Sequence, residues 1–162
     1  MTAPILFFGY GNPARGDDAL GPLLAARLAD WLGKQGLQEQ VEVLEDFQLS
    51  PEHACDLYDR HLLILADASL RISEPCRCSL LAPVAPACWA SHAATPAELL
   101  WYADTLLGIR IPHAILIELQ GNTFELGSGL SQAGKQALEA GWLAACELIS
   151  KELQLCRTSC SC

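Results

Sequence analysis

The sequence predicts an α/β protein, a sandwich of helices packed on a mostly parallel sheet. Two apolar runs, residues 4–10 (PILFFGY) and 61–66 (HLLILA), have the near-continuous hydrophobicity of strands buried on both faces. Between and after them lie segments with helical period, so strands and helices alternate along the chain. Strands spaced in this way need crossover helices, which favours parallel pairing.

Taken in order, residues 4–10 form the first strand, ended by Gly9 and Gly11. From Leu20 the apolar positions Leu20, Leu23, Leu24, Leu28, Trp31 and Leu32 recur at three and four, an amphipathic helix that Gly33 is expected to stop. Residues 41–44 read as the second strand. Residues 51–58 read as a short helix entered through Ser50-Pro51, and HLLILA as the third strand, closed by Asp67. A fourth strand over 77–81, a helix over 96–107 behind Thr95-Pro96 and a fifth strand over 114–119 follow. A closing helix over 131–153 carries Leu138, Trp142, Ala145, Ile149 and Leu153 on one face. The stretch 74–94, with three prolines and three cysteines, is the least regular, a surface loop expected over the carboxyl edge of the sheet. The tail from Cys156 reads as a frayed end, so residues 1–155 are expected to be a single domain and 156–162 a cysteine-rich appendage.

Composition narrows the function. At 162 residues, 51% hydrophobic and 18% charged, the chain suits one packed domain rather than a disordered or low-complexity one. Ten Lys and Arg against 19 Asp and Glu give a net charge of −9, which repels nucleic acid and anionic membranes. The amino terminus has no basic n-region and its apolar run stops at Gly9, and no stretch has the length of a spanning helix, so a cytoplasmic protein is expected. The eight cysteines accordingly read as reduced thiols.

Gly9-Tyr10-Gly11-Asn12-Pro13-Ala14 formally satisfies a dinucleotide fingerprint between a strand and a helix. Asp17 and Asp18 follow where a pyrophosphate would sit, and no acidic residue closes the second strand about 20 positions on, Glu45 and Asp46 lying over 30 beyond Gly11, so the reading is of no nucleotide. One Asp of this pair serves as a helix N-cap; the other is surplus to that role. A carboxylate leaving the first strand can meet Asp67 at the end of the third. Two such groups repel unless they share a proton or a cation. His92, before the 96–107 helix, reaches the same edge if the loop folds over it. Two carboxylates and an imidazole suit Ni, Zn or Fe with open positions rather than a structural zinc. His53, His61 and His113 have no acidic company and read as structural. Cys76-x-Cys78 and the tail set Cys156, Cys160 and Cys162 could bind metal or trap oxidants, but neither has a second C-x2-C pair.

The segment Gly9-Tyr10-Gly11-Asn12-Pro13-Ala14-Arg15-Gly16-Asp17-Asp18-Ala19-Leu20-Gly21 resembles the opening signature of the hydrogenase maturation endopeptidases. These proteases trim the large subunit of nickel-iron hydrogenases. Residues 46–54 (DFQLSPEHA), 66–68 (ADA), 91–96 (SHAATP), 124–127 (FELG) and Leu130-Ser131 extend the resemblance over most of the chain. Gln48-Leu49-x-x-Glu52 and FELG look most like the branch serving bidirectional, NAD(P)-linked hydrogenases.

The resemblance implies a three-layer sandwich of about five strands between helices, the strand near 77–81 running antiparallel. It also carries a metal site over onto Asp18, Asp67 and His92. The function it implies is removal of a C-terminal extension from the hydrogenase large-subunit precursor after nickel insertion. Nickel is then presented by the substrate, with zinc or another divalent ion able to substitute. A non-catalytic chaperone of the nickel-loaded subunit is the alternative. Asp46 is the candidate general base if the metal does not itself activate water. Gly11, Asn12 and Gly16 are candidates for contact with substrate, Gly11 and Gly16 equally so for plain turn glycines.

Overall fold

The computed structural model describes residues 2–87 and 93–159. His92, Cys160 and Cys162 lie outside the described residues. The strands are β1 (Ile5–Tyr10), β2 (Val41–Asp46), β3 (Leu62–Ser69), β4 (Cys76–Leu80) and β5 (His113–Gln120). The helices are α1 (Leu20–Gln35), α2 (Pro96–Trp101) and α3 (Gln132–Ser159). One sheet of order β2-β1-β3-β5-β4 results, parallel throughout except for β4, which pairs antiparallel with β5 at the edge.

All six residues of β1 are buried, as its unbroken apolar run requires of a strand covered on both faces. Ile5 and Phe7 join Ile64, Ile117, the α1 leucines Leu24 and Leu28, and Ile149 of α3 in one core. Leu6 and Phe8 face the other way, to Leu63, Leu65, Leu57 and the α2 residues Leu99 and Leu100. Each such side chain stabilises the sandwich by roughly 1.5–3 kcal/mol. The fold is therefore a three-layer α/β/α sandwich, with α1 and α3 on one face and α2 on the other. No helix among the described residues is long and apolar enough to cross a membrane.

Several boundaries differ from the sequence expectation. Gly33 does not stop α1, which runs to Gln35; Gly36 ends it in the left-handed conformation, and the Leu37 N–H donates to the Leu32 carbonyl in a Schellman-type helix end. The short helix expected over 51–58 is present as a 3-10 helix, Pro51–Leu57. The helix predicted over 96–107 changes after Trp101 to a π turn, Tyr102–Leu106. β3 continues past Asp67 to Ser69 because β5 pairs with it as far as Gln120. α3 holds its helical backbone to Ser159, past the frayed end expected from Cys156. Neither Asp17 nor Asp18 caps α1, whose first turn grows directly out of a 3-10 turn, Gly16–Ala19.

α1 starts unusually close to the sheet. A Cβ on Gly21 would stand 2.4 Å from the Tyr10 carbonyl oxygen and 2.6 Å from that of Ala66. Only a glycine lets the helix backbone rest on the ends of β1 and β3, and this contact sets Asp18 above them.

Candidate active site

Parallel pairing puts residues of equal register on the same face. At the carboxyl ends Asp46 is level with Tyr10, Asp67 with Glu118, and Glu118 with Arg77. Gly9 pairs with Ala66, so Tyr10 and Asp67 stand one step further along. The α2 face of the sheet thus ends in a row of Asp46, Tyr10, Asp67, Glu118 and Arg77. The interior of the same face is apolar.

Asp67, Tyr10 and Glu118 open into a cleft of about 450 Å³ that Arg71, Thr95 and Phe124 also line. The Asp67 carboxyl is pushed up to about 6. Burial is the main cause; the Tyr10 phenol and the Ala68 N–H oppose it, and the charges of Asp18 and Glu118 add to it. The Tyr10 phenol is itself raised, by burial first and then by the Asp67 carboxylate. Its hydroxyl is buried and completes no hydrogen bond of standard geometry among the described residues, so it stands beside Asp67 as a close neighbour rather than a formed partner. Glu118 accepts from the Ser69 hydroxyl at 3.1 Å.

Asp18 is half-buried above this edge and accepts from the Asn12 N–H at 3.1 Å. The structure brings Asp18 and Asp67 within range of each other's charge, as two converging carboxylates require. His92 lies outside the described residues, three positions before Thr95 on the cleft wall. Among the described residues no three His, Cys, Asp or Glu side chains are grouped to hold a metal. The donors present are two mutually repelling carboxylates and an unsatisfied phenol. They fit a cation whose remaining ligands come from elsewhere.

Asp17 is a different matter. It is 0% exposed, and its carboxylate accepts from the N–H groups of Asn122, Thr123 and Ser131 and from the Ser131 hydroxyl, at 2.6–3.0 Å. Burial raises its pKa, but these four bonds more than offset it and leave it below the usual carboxylate range. Asp17 fastens the loop between β5 and α3 to the loop after β1. Gly16, at φ 55°, is buried under the same loop; a Cβ there would meet the Thr123 carbonyl oxygen at 2.4 Å. Asn12 spends its side chain on the Ala14 N–H.

Asp46 belongs to a second cleft, of about 310 Å³, with Gly11, Pro13, Pro22, Glu45 and Phe47. One of its oxygens accepts from the Phe47 N–H at 2.6 Å, and the other lies 3.4 Å from Nε2 of His53. His53 does have acidic company, contrary to expectation. Its Nδ1 accepts from the Ser50 N–H at 3.0 Å, which leaves Nε2 to carry the proton toward Asp46. His53, Tyr10 and Glu118 are the residues sequence reasoning missed. Glu118 left the clearest signal, as an acid inside the apolar run AILIEL.

An α/β/α sandwich with an acidic cleft off the carboxyl ends of a parallel sheet belongs to the architectures that bind ligands at that edge. Solved structures of similar fold include the [NiFe] hydrogenase maturation protease HycI from Thermococcus kodakarensis KOD1, at 22% identity over 92% of this chain and 93% of that one, TM-score 0.67. The hydrogenase maturating endopeptidase HybD from E. coli matches at 19% identity over 91% of this chain and 93% of that one, TM-score 0.68. An uncharacterized protein from Wolinella succinogenes matches at 16% identity over 92% and 98%, TM-score 0.59. At these identities the likeness is one of fold. No protein-family model matches the sequence, and neither does any curated protein.

Proposed function

We propose that this protein is an endopeptidase that removes the C-terminal extension of a nickel-iron hydrogenase large-subunit precursor after nickel insertion. The observation that carries the reading is the incompletely satisfied acidic edge. Among the described residues Asp67, raised to about 6 chiefly by burial, has no cation acting on it and the Tyr10 hydroxyl beside it completes no bond; an incoming metal would supply the positive partner. The likeness in fold to maturation proteases supports it. So do the signature segments of the sequence, which favour the branch serving bidirectional NAD(P)-linked hydrogenases.

In this reading nickel is part of the substrate, held by the precursor's thiolates. Asp18, Asp67 and His92 touch it through vacant positions. Oxygen and imidazole ligands can do this without displacing sulfur, and zinc or another divalent ion can take the same place. The scissile carbonyl is then polarised, or a water activated, by the bridging ion. Asp46, whose carboxylate His53 orients, is the candidate base for the alternative route. No nucleotide takes part, and the reaction is placed in the cytoplasm.

Intact mass of precursor incubated with the protein tests this. Loss of the extension from nickel-loaded precursor alone is expected. A stable complex of unchanged mass would indicate a chaperone, and cleavage of loaded and nickel-free precursor alike would remove nickel from the recognition step.

A further inference from the structure

On the far edge of the sheet, β4 carries Cys76 and Cys78 two positions apart, opposite Leu119 and Ile117 of β5. Alternate strand residues share a face. Both thiols therefore lie on the α1/α3 side, while Arg77 between them belongs to the cleft face. The thiols are near enough to act on each other, and both are free rather than joined in a disulfide. Cys76 is half-buried against the core; Cys78 is exposed.

We infer that Cys76 and Cys78 form a two-thiolate clip for a soft monovalent d10 cation of the Cu(I) type, distinct from the oxygen-rich cleft and independent of the processing reaction. Two positions along a strand separate Cα atoms by about 6.8 Å, the far limit of what a disulfide spans. A sulfur–metal–sulfur bridge is longer than a sulfur–sulfur bond and suits that spacing. Among the described residues no third His, Cys, Asp or Glu joins the pair, so it offers two ligands where a zinc cage takes four. Cu(I) is a soft cation suited to thiolates alone.

Two acids lie near the pair, Glu74 beside Cys76 and Glu147 of α3 beside Cys78, each already in an ion pair, with Arg77 and Lys151 respectively. Binding forms two Cu–S bonds, releases the protons of the two thiols to solvent and changes no oxidation state.

The test uses full-length protein with Cys55, Cys88, Cys146, Cys156, Cys160 and Cys162 changed to Ser, titrated anaerobically with Cu(I) alone against bathocuproine disulfonate. One Cu(I) per chain is expected, with affinity falling at least tenfold on adding Cys76→Ser or Cys78→Ser. Should the six-Ser protein not fold, the wild-type chain is compared with its Cys76→Ser and Cys78→Ser variants, each expected to lose one equivalent. Equal copper uptake with and without Cys78 would overturn the proposal. So would equal retention of Zn(II), or closure of a Cys76–Cys78 disulfide by glutathione disulfide, seen as loss of two hydrogens.

Discussion

Asp17 and Asp18 are neighbours in the sequence and belong to opposite kinds of region. The corner around Asp17 is saturated. Every lone pair that matters has a donor, and the bonds run to the loop before α3. The edge shared by Asp18 and Asp67 is the reverse, with one hydrogen bond to the Asp18 carboxylate, mutual repulsion and a buried phenol left over. A buried carboxylate whose bonds are complete is architecture, and one whose bonds are missing waits for something to arrive.

The largest effects should come from the open edge. Asp18→Ala, Asp67→Ala and His92→Ala should each lower precursor processing about a hundredfold or more while circular dichroism stays native. A wild-type rate for purified Asp67→Ala would erase the distinction between the two regions. Next is the closed corner. Asp17→Ala strips acceptors from three backbone N–H groups and the Ser131 hydroxyl, and should cost about 3–5 kcal/mol in urea unfolding.

Asp67→Asn should move stability the other way. The folded carboxyl sits near 6 against an ordinary 3.8. Its contribution is therefore fully present below pH 3.8 and lost as pH rises through 6. The metal-free Asn variant should exceed wild type by up to about 3 kcal/mol at pH 7.5 and match it at pH 3.5, as denaturant midpoints will reveal.

Smaller still is Tyr10→Phe, which removes a hydroxyl with no completed bond. Stability should stay level or rise by about 1 kcal/mol while processing slows severalfold; a large destabilisation would mean that the phenol is structural after all. Least of all, removing residues 156–162 should shift stability by less than about 0.5 kcal/mol. Leu155, the last residue kept, is 63% exposed.

What the sequence made legible follows the range of the interactions. β1, β3 and α1 could be read because their burial patterns are local, periodic and written in consecutive residues. The convergence of Asp18 and Asp67 could be read because both stand just past apolar runs that pair side by side. The role of Asp17 could not, since its partners lie more than 100 positions away in a loop with no periodicity. The Asp46–His53 contact depends on how a strand end and a 3-10 turn face each other, which spacing alone does not encode. The π turn after Trp101 and the true end of α1 are matters of one or two residues, decided by packing.

The Asp17 bonds also bear on how the molecule comes into being. They join residues 105, 106 and 114 positions apart, among the most widely separated side-chain hydrogen bonds of the described residues. Contacts of such separation form late, after β5 has paired and α3 has docked, because closing so long a loop must be offset by packing already in place. A chain emerging from the ribosome therefore carries Asp18 and Asp67 well before it carries the loop that fixes the backbone around them. Assembly of the acidic edge and completion of the fold coincide, so no amino-terminal fragment should display the edge in working order.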